Sequence, residues 1–161
     1  MKNSICLTEK KTTGLPPSNR GRFYRRVLLV EGDRIQRAMH AAVLALAGFA
    51  TSTVANGEEA LEALDDVRFD MVLTETVIPG LGGRSLVHAM RAVGDPTPVV
   101  LLSGRRHEAS DPAFPPDERV EEVPRSASSR ELISAVYRGL HANPRGNSLL
   151  VTMAKTRLPT L

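Results

Sequence analysis

Four short clusters in this 161-residue chain carry side chains able to handle a charged group. Glu31-Gly32-Asp33 offers two carboxylates, Thr74-Glu75 a hydroxyl and a carboxylate, Ser103-Gly104 a hydroxyl, and Arg125 a guanidinium. Carboxylates accept hydrogen bonds and hold cations, whereas a hydroxyl and a guanidinium donate to anionic oxygens. Brought into one cleft, these groups would form a polar site able to bind a cation or an anion. Each cluster stands just after a short run that reads as a strand, so the question is what holds the strand ends together.

Val27–Val30 is fully apolar, as expected of a strand covered on both faces. Phe49–Val54 is rich in Thr and Val, Met71–Leu73 and Val99–Leu102 are apolar, and Val120–Val123 is a candidate fifth strand. Helical spacing separates them. Ile35, Met39, Ala42, Val43 and Leu46 recur on one stripe, with Gly48 as the stop. Asn56-Gly57 turns the chain into a helix opened by Glu58-Glu59, with Ala60, Leu61 and Leu64 facing inward. Leu86, Met90 and Val93 mark a third helix after the Pro79–Gly83 loop. Ser128 or Ser129 caps a last helix with Leu132, Ile133, Val136 and Leu140 inward. Pro112, Pro115 and Pro116 forbid a regular helix through most of Arg105–Glu118, because proline lacks the amide hydrogen and clashes with the preceding turn. Strands alternating with helices imply a parallel sheet covered on both faces. In such sheets the residues that do chemistry gather at the carboxyl ends of the strands.

The net charge of +3 is unevenly spread. Residues 1–26 carry a net +6 and residues 142–161 a net +3, whereas residues 27–141 carry −6 and contain no lysine. The chain therefore divides into a basic flexible arm (1–25), an acidic folded unit (26–141) and a basic tail (142–161). No apolar run approaches the ~18 residues that would span a bilayer. Cys6 is the single cysteine, which excludes an internal disulfide or a thiolate metal cage. The run Ile5–Leu7 is too short for a secretion signal, so a cytoplasmic location is expected.

Val27-Leu28-Leu29-Val30-Glu31-Gly32-Asp33 resembles the opening of a two-component response-regulator receiver domain. Asp70–Gly83 is similar to that family's phosphoacceptor strand and proline-glycine loop. Pro98–Gly104 resembles the strand that ends in its Ser/Thr switch, and Arg125-Ser126 stands where the family usually has Lys-Pro. The resemblance spans roughly Arg26 to His141. It implies a flavodoxin-like, doubly wound five-stranded parallel sheet of order 2-1-3-4-5, with the fourth helix short or disrupted by the prolines. In that family a histidine kinase donates a phosphoryl group to an aspartate, acidic residues hold Mg²⁺, and the hydroxyl and lysine contact the phosphoryl oxygens. A metal and a cation are needed because the transferred group is negatively charged.

The chain departs from the pattern where the chemistry would occur. Glu75 occupies the phosphoacceptor position, and its extra methylene misplaces the in-line geometry. Gly32 supplies no oxygen, so Mg²⁺ is not expected; Glu31 and Glu75 are the remaining donors. Adjacent side chains at a strand end point apart, so Asp33 is not assumed to substitute. Arg125 replaces the lysine with a planar fork suited to carboxylates. Glu122, three residues earlier, takes the place of an aromatic switch residue beside the Ser103 switch position.

Plainer readings apply to the same residues. Glu75 either mimics a charged, switched-on acceptor or is a relic. Arg125 either pairs with Glu75 or is a solvated loop charge, and Ser103 can simply cap a turn. Glu31 and Asp33 can serve as helix caps. His40, His88, His107 and His141 show no ligand spacing and read as surface or helix-face residues. The expected function is a non-enzymatic signalling module acting through protein–protein contact, with a histidine kinase or output protein as partner and a homodimer as one form. It would lack ordinary aspartyl phosphorylation. The alternatives are a working phosphoacceptor with a non-standard site, and a nucleic-acid or membrane adaptor acting through the basic tails; nucleic acid is not the expected partner.

Overall fold

The structure, a computed structural model, describes residues 24–104 and 117–142. Five strands alternate with helices: β1 (Arg26–Val30), β2 (Ala50–Val54), β3 (Met71–Glu75), β4 (Val99–Ser103) and β5 (Val120–Pro124). The described helices are α1 (Arg34–Leu46), α2 (Gly57–Asp66), α3 (Gly83–Ala92) and α4 (Ser129–Ala142). All strand pairs are parallel, in the order β2-β1-β3-β4-β5. This is the order that the resemblance implies. The segment in which a disrupted fourth helix is expected, 105–116, lies outside the described residues, as do the arm before residue 24 and the tail after residue 142.

The inner strands are buried on both faces, which is why they read as unbroken apolar runs. Val27, Leu29, Met71, Leu73, Val100 and Leu102 point to one side and meet Leu44 of α1 and Leu132, Ala135, Val136 and Leu140 of α4. Leu28, Val30, Val72 and Val99 point to the other and meet Ala60 of α2 and Leu86, Val87 and Met90 of α3. Burying each of the larger aliphatic chains stabilises the fold by roughly 1.5–3 kcal/mol. That burial holds the strand ends in register.

Helix starts follow local capping chemistry. Asp33 Oδ1 accepts hydrogen bonds from Ile35 N and Gln36 N, both at 2.8 Å, and so caps α1. Asn56 Oδ1 accepts from Glu59 N at 2.8 Å while Glu59 Oε2 accepts from Ala55 N at 2.9 Å. A reciprocal box also opens α4: Ser128 Oγ accepts from Glu131 N, and Glu131 Oε2 accepts from Ser128 N at 2.7 Å. Of the two serines considered for this cap, Ser128 has the role.

One expectation from the periodicity is overturned. The spacing puts Ile35, Met39, Ala42, Val43 and Leu46 on one apolar stripe of α1, but of these only Val43 is partly buried, and Ile35, Met39 and Leu46 face solvent with exposures of 71%, 56% and 89%. The inward stripe is Arg37, His40, Ala41 and Leu44, with Leu44 fully buried. Its first members are polar because they face the strand ends, so the more hydrophobic of two stripes is the outer one. Val93 also lies outward, at the C-cap of α3, while Val87, which the spacing omits, is buried.

Candidate functional site

The carboxyl ends of β1, β3, β4 and β5 lie side by side. Parallel pairing sets Val30 against Thr74, Glu75 against Leu102, and Ser103 against Pro124. Glu31, Glu75, Ser103 and Arg125 are therefore brought together from four separate strands. Glu75 is the last residue of β3 rather than a loop residue, and only 4% of it is exposed. Glu31 is 1% exposed and Ser103 5% exposed.

Arg125 is held beside this group by its backbone: Arg125 N donates to Ser103 O at 2.8 Å. Its side chain, half-exposed, places Nε 3.0 Å from Glu75 Oε1. The Nε–H is not aimed at that oxygen, and Glu75 Oε1 is buried without a hydrogen-bond partner. Glu31 Oε1 accepts from Asp33 N at 2.9 Å, while Oε2 is buried without a partner 3.8 Å from His40 Nδ1, which also lacks a hydrogen-bond partner. Arg37 of α1 closes the back of the site by donating from Nη1 to Glu31 O at 2.5 Å.

These contacts explain the proton affinities. Burial is the main force raising the Glu75 carboxyl to about 7, and the neighbouring Glu31 carboxyl adds to it. Arg125 works against both and does not cancel them. Burial lowers the His40 imidazole, and the facing Glu31 carboxylate offsets part of that. Asp33 is lowered chiefly by the hydrogen bond from Gln36 N, as befits a cap. Asp33 therefore contributes to the site's field from its edge, while its oxygens are used in starting α1.

Gly32 lies against the proline loop. A Cβ at Gly32 would stand 2.7 Å from Pro79 Cδ, so the space where a second acidic side chain would leave the backbone is filled by the proline ring. Gly80 adopts φ +70°, a conformation that favours glycine, and Leu81 N donates to Glu58 Oε1 at 2.9 Å. At the opposite edge Glu122 turns outward and accepts from Arg84 Nη2 at 2.7 Å, tying β5 to α3. Among the described residues, no group of three or more His, Cys, Asp or Glu is arranged to hold a metal ion.

The structure thus gathers Glu31, Gly32, Glu75, Ser103 and Arg125, sets Asp33 at the edge as a cap, and sends Glu122 away from the cleft. Sequence reasoning missed His40 and Arg37. Their signal was spacing: Asp33, Arg37, His40 and Leu44 recur at intervals of four, three and four residues, a helical stripe ending in a buried leucine.

The profile of the response regulator receiver domain matches residues 27–114. The chain belongs to this family of two-component signalling domains. Among curated proteins it is 39% identical over 80 residues to "Transcriptional regulatory protein PrrA" of Mycobacterium leprae, covering 50% of this chain and 34% of that protein. It is 32% identical over 81 residues to "DNA-binding response regulator MtrA" of Mycobacterium tuberculosis strain H37Rv, covering 50% and 35%. The match thus spans about a third of the length of these relatives. Among solved structures, the receiver domain of the Francisella response regulator 1452 superposes with a TM-score of 0.66 at 22% identity, over 73% of this chain and 98% of that one. The chemotaxis regulator CheY4 of Vibrio cholerae gives 0.65 at 23% identity, over 72% and 98%. At this identity the structural likeness concerns the fold. No described helix is long and apolar enough to cross a membrane.

Proposed function

We propose that this receiver domain signals through protein–protein contact without ordinary aspartyl phosphorylation, its acceptor position being taken by a Glu75–Arg125 pair. The observation that carries this reading is the guanidinium Nε 3.0 Å from Glu75 Oε1. The guanidinium is seated against the carboxylate that would have to attack a phosphoryl donor. An attacking carboxylate must also be ionised, yet burial and Glu31 favour the protonated form of Glu75 near neutral pH.

The donor set does not fit Mg²⁺. That ion needs near-octahedral oxygen ligation. Gly32 offers no side-chain oxygen and is packed against Pro79, Asp33 Oδ1 is used by two backbone amides, and Glu75 faces a guanidinium. Glu31 and Glu75 alone are too few. The role of Glu75 is then electrostatic: ionised, it is the counterpart of Arg125; protonated, it releases that arginine. A histidine kinase or an output protein is the class of partner that the family supplies. The DNA-binding or transcriptional roles in the relatives' names belong to proteins of which this chain matches about a third, and are not carried over.

Intact-mass analysis after incubation with a small phosphodonor and Mg²⁺ tests the reading. The expected result is no adduct. A phosphate adduct that disappears in Glu75→Ala would overturn it in favour of a working acceptor with a non-standard site. The tails offer a separate reading, in which binding to nucleic acid is strongly salt-dependent and disappears when residues 1–25 are removed; no contact among the described residues favours it.

A further inference from the structure

The outward face of α1 is apolar along its whole length. Ile35, Ala38, Met39, Ala42, Ala45 and Leu46 are all exposed, and the large members are exposed by more than half. A single exposed aliphatic side chain needs no explanation, but a continuous row does. Ile35, Met39, Ala42 and Leu46 follow one another at four, three and four residues. Alternating three- and four-residue spacing is the pattern of a helix seam that packs against another helix.

The spacing also reads the same from either end. Turned antiparallel about its midpoint, a second α1 sets Ile35 against Leu46 and Met39 against Ala42. Each large side chain near the centre then meets a small one, as interlocking packing requires. Ala38 and Ala45 flank the seam and let the helix axes approach closely. The charges agree with this direction. Arg34 begins the helix, is exposed and enters no ion pair among the described residues, while the last turn of α1 has no basic residue. Antiparallel pairing places each Arg34 beside the other copy's helix C-terminus, where the carbonyls carry partial negative charge. Parallel pairing would instead bring the two Arg34 side chains together.

We infer that α1 is a self-association face, pairing antiparallel with α1 of a second copy through the seam Ile35–Met39–Ala42–Leu46. This inference does not depend on whether Glu75 accepts phosphate. The seam is about 18 Å long, from a rise of ~1.5 Å per residue. One helix face per copy places the interface at the small end of the range for specific complexes, below ~1,200 Å² in total. A dimer dissociating in the micromolar range is therefore expected, on the order of 10 µM.

Sedimentation velocity on the full chain over a concentration series provides the test. The wild-type chain is expected to shift from monomer to dimer, and Met39→Glu and Ala42→Lys each to weaken the dimer about tenfold or more. Both positions are exposed, so their thermal melts should overlay the wild type. Mixing the two variants is the decisive arm. Antiparallel pairing sets the introduced glutamate of one chain opposite the introduced lysine of the other and restores a one-to-one dimer. A mixture that stays monomeric overturns the antiparallel register. A wild-type chain that remains monomeric throughout overturns the inference, as does a dimer indifferent to Met39→Glu. A monomeric chain whose α1 face instead binds a kinase's dimerisation helices, with Met39→Glu abolishing that binding, also overturns it and assigns the face to the kinase.

Discussion

Glu75 and Glu122 are both glutamates that face an arginine from another part of the fold, but they do so in different surroundings. Glu122 and Arg84 meet at the rim of β5, with side-chain exposures of 29% and 15%, in a 2.7 Å contact. Glu121 and Arg138 do the same at the neighbouring position. Water screens such pairs, and they contribute little to stability. Glu75 is 5% exposed at its side chain, lies beside a second buried carboxyl and faces an arginine that is half in solvent. Its charge loses more water than Arg125 returns, so its proton affinity rises. The same two residue types thus give a neutral surface tie in one place and a carboxyl poised to titrate in the other. What differs is the surroundings: Glu75 is buried at its strand end beside the equally buried Glu31.

The most severe way to break this contrast is to disturb the backbone that buries Glu75. A Cβ at Gly83 would stand 2.0 Å from Glu75 O, so Gly83→Ala must push α3 away from the end of β3. Urea denaturation should show a loss of about 3 kcal/mol. A change within experimental error would mean that α3 does not define the buried end of β3.

Titration sharpens the contrast. The folded-state pKa of Glu75, about 7, lies above its ordinary value of 4.5. The folded state therefore binds more protons than the unfolded state between these values. Stability contributed by protonated Glu75 is full below pH 4.5 and is lost as pH rises through 7. Beyond burial, the neighbouring Glu31 and Asp33 raise this proton affinity and Arg125 lowers it. Glu75→Gln, neutral at every pH, should be more stable than the wild type at pH 8 by roughly 1–3 kcal/mol. At pH 5 it should match the wild type closely. Equal pH dependence in the two proteins would remove the titrating role assigned to Glu75.

The rim pairs mark the small end. Glu122→Ala and Arg138→Ala should each alter the unfolding free energy by less than ~1 kcal/mol in urea denaturation. A larger loss for Glu122→Ala would show that the Arg84 tie holds β5 to α3 and would narrow the contrast with Glu75.

Much of this molecule is legible in its sequence. Apolar runs such as Met71–Leu73 and Val99–Leu102 are continuous because both faces of a central strand are covered, and that alone identifies a parallel sheet. Asn56, Ser128 and Asp33 announce helix starts because a cap needs only nearby atoms. The candidate site is visible as residue types at strand ends. The outward stripe of α1 shows where local reading stops: two faces of one helix compete for the core, and hydrophobicity favours the wrong one. Arg37 and His40 lie on the inner face because they meet Glu31, a contact that helical spacing alone does not reveal.

Residue order by itself thus determined the alternation of strands and helices, the capping and the list of polar groups at the strand ends, since all of these depend on neighbours a few positions apart. Tertiary structure alone decided that Glu75 would be buried beside Glu31, that Arg125 would reach it from β5, and that Ile35, Met39 and Leu46 would face outward. Those outcomes depend on solvent exclusion and on distances between residues tens of positions apart, which exist only once the sheet has closed over its core.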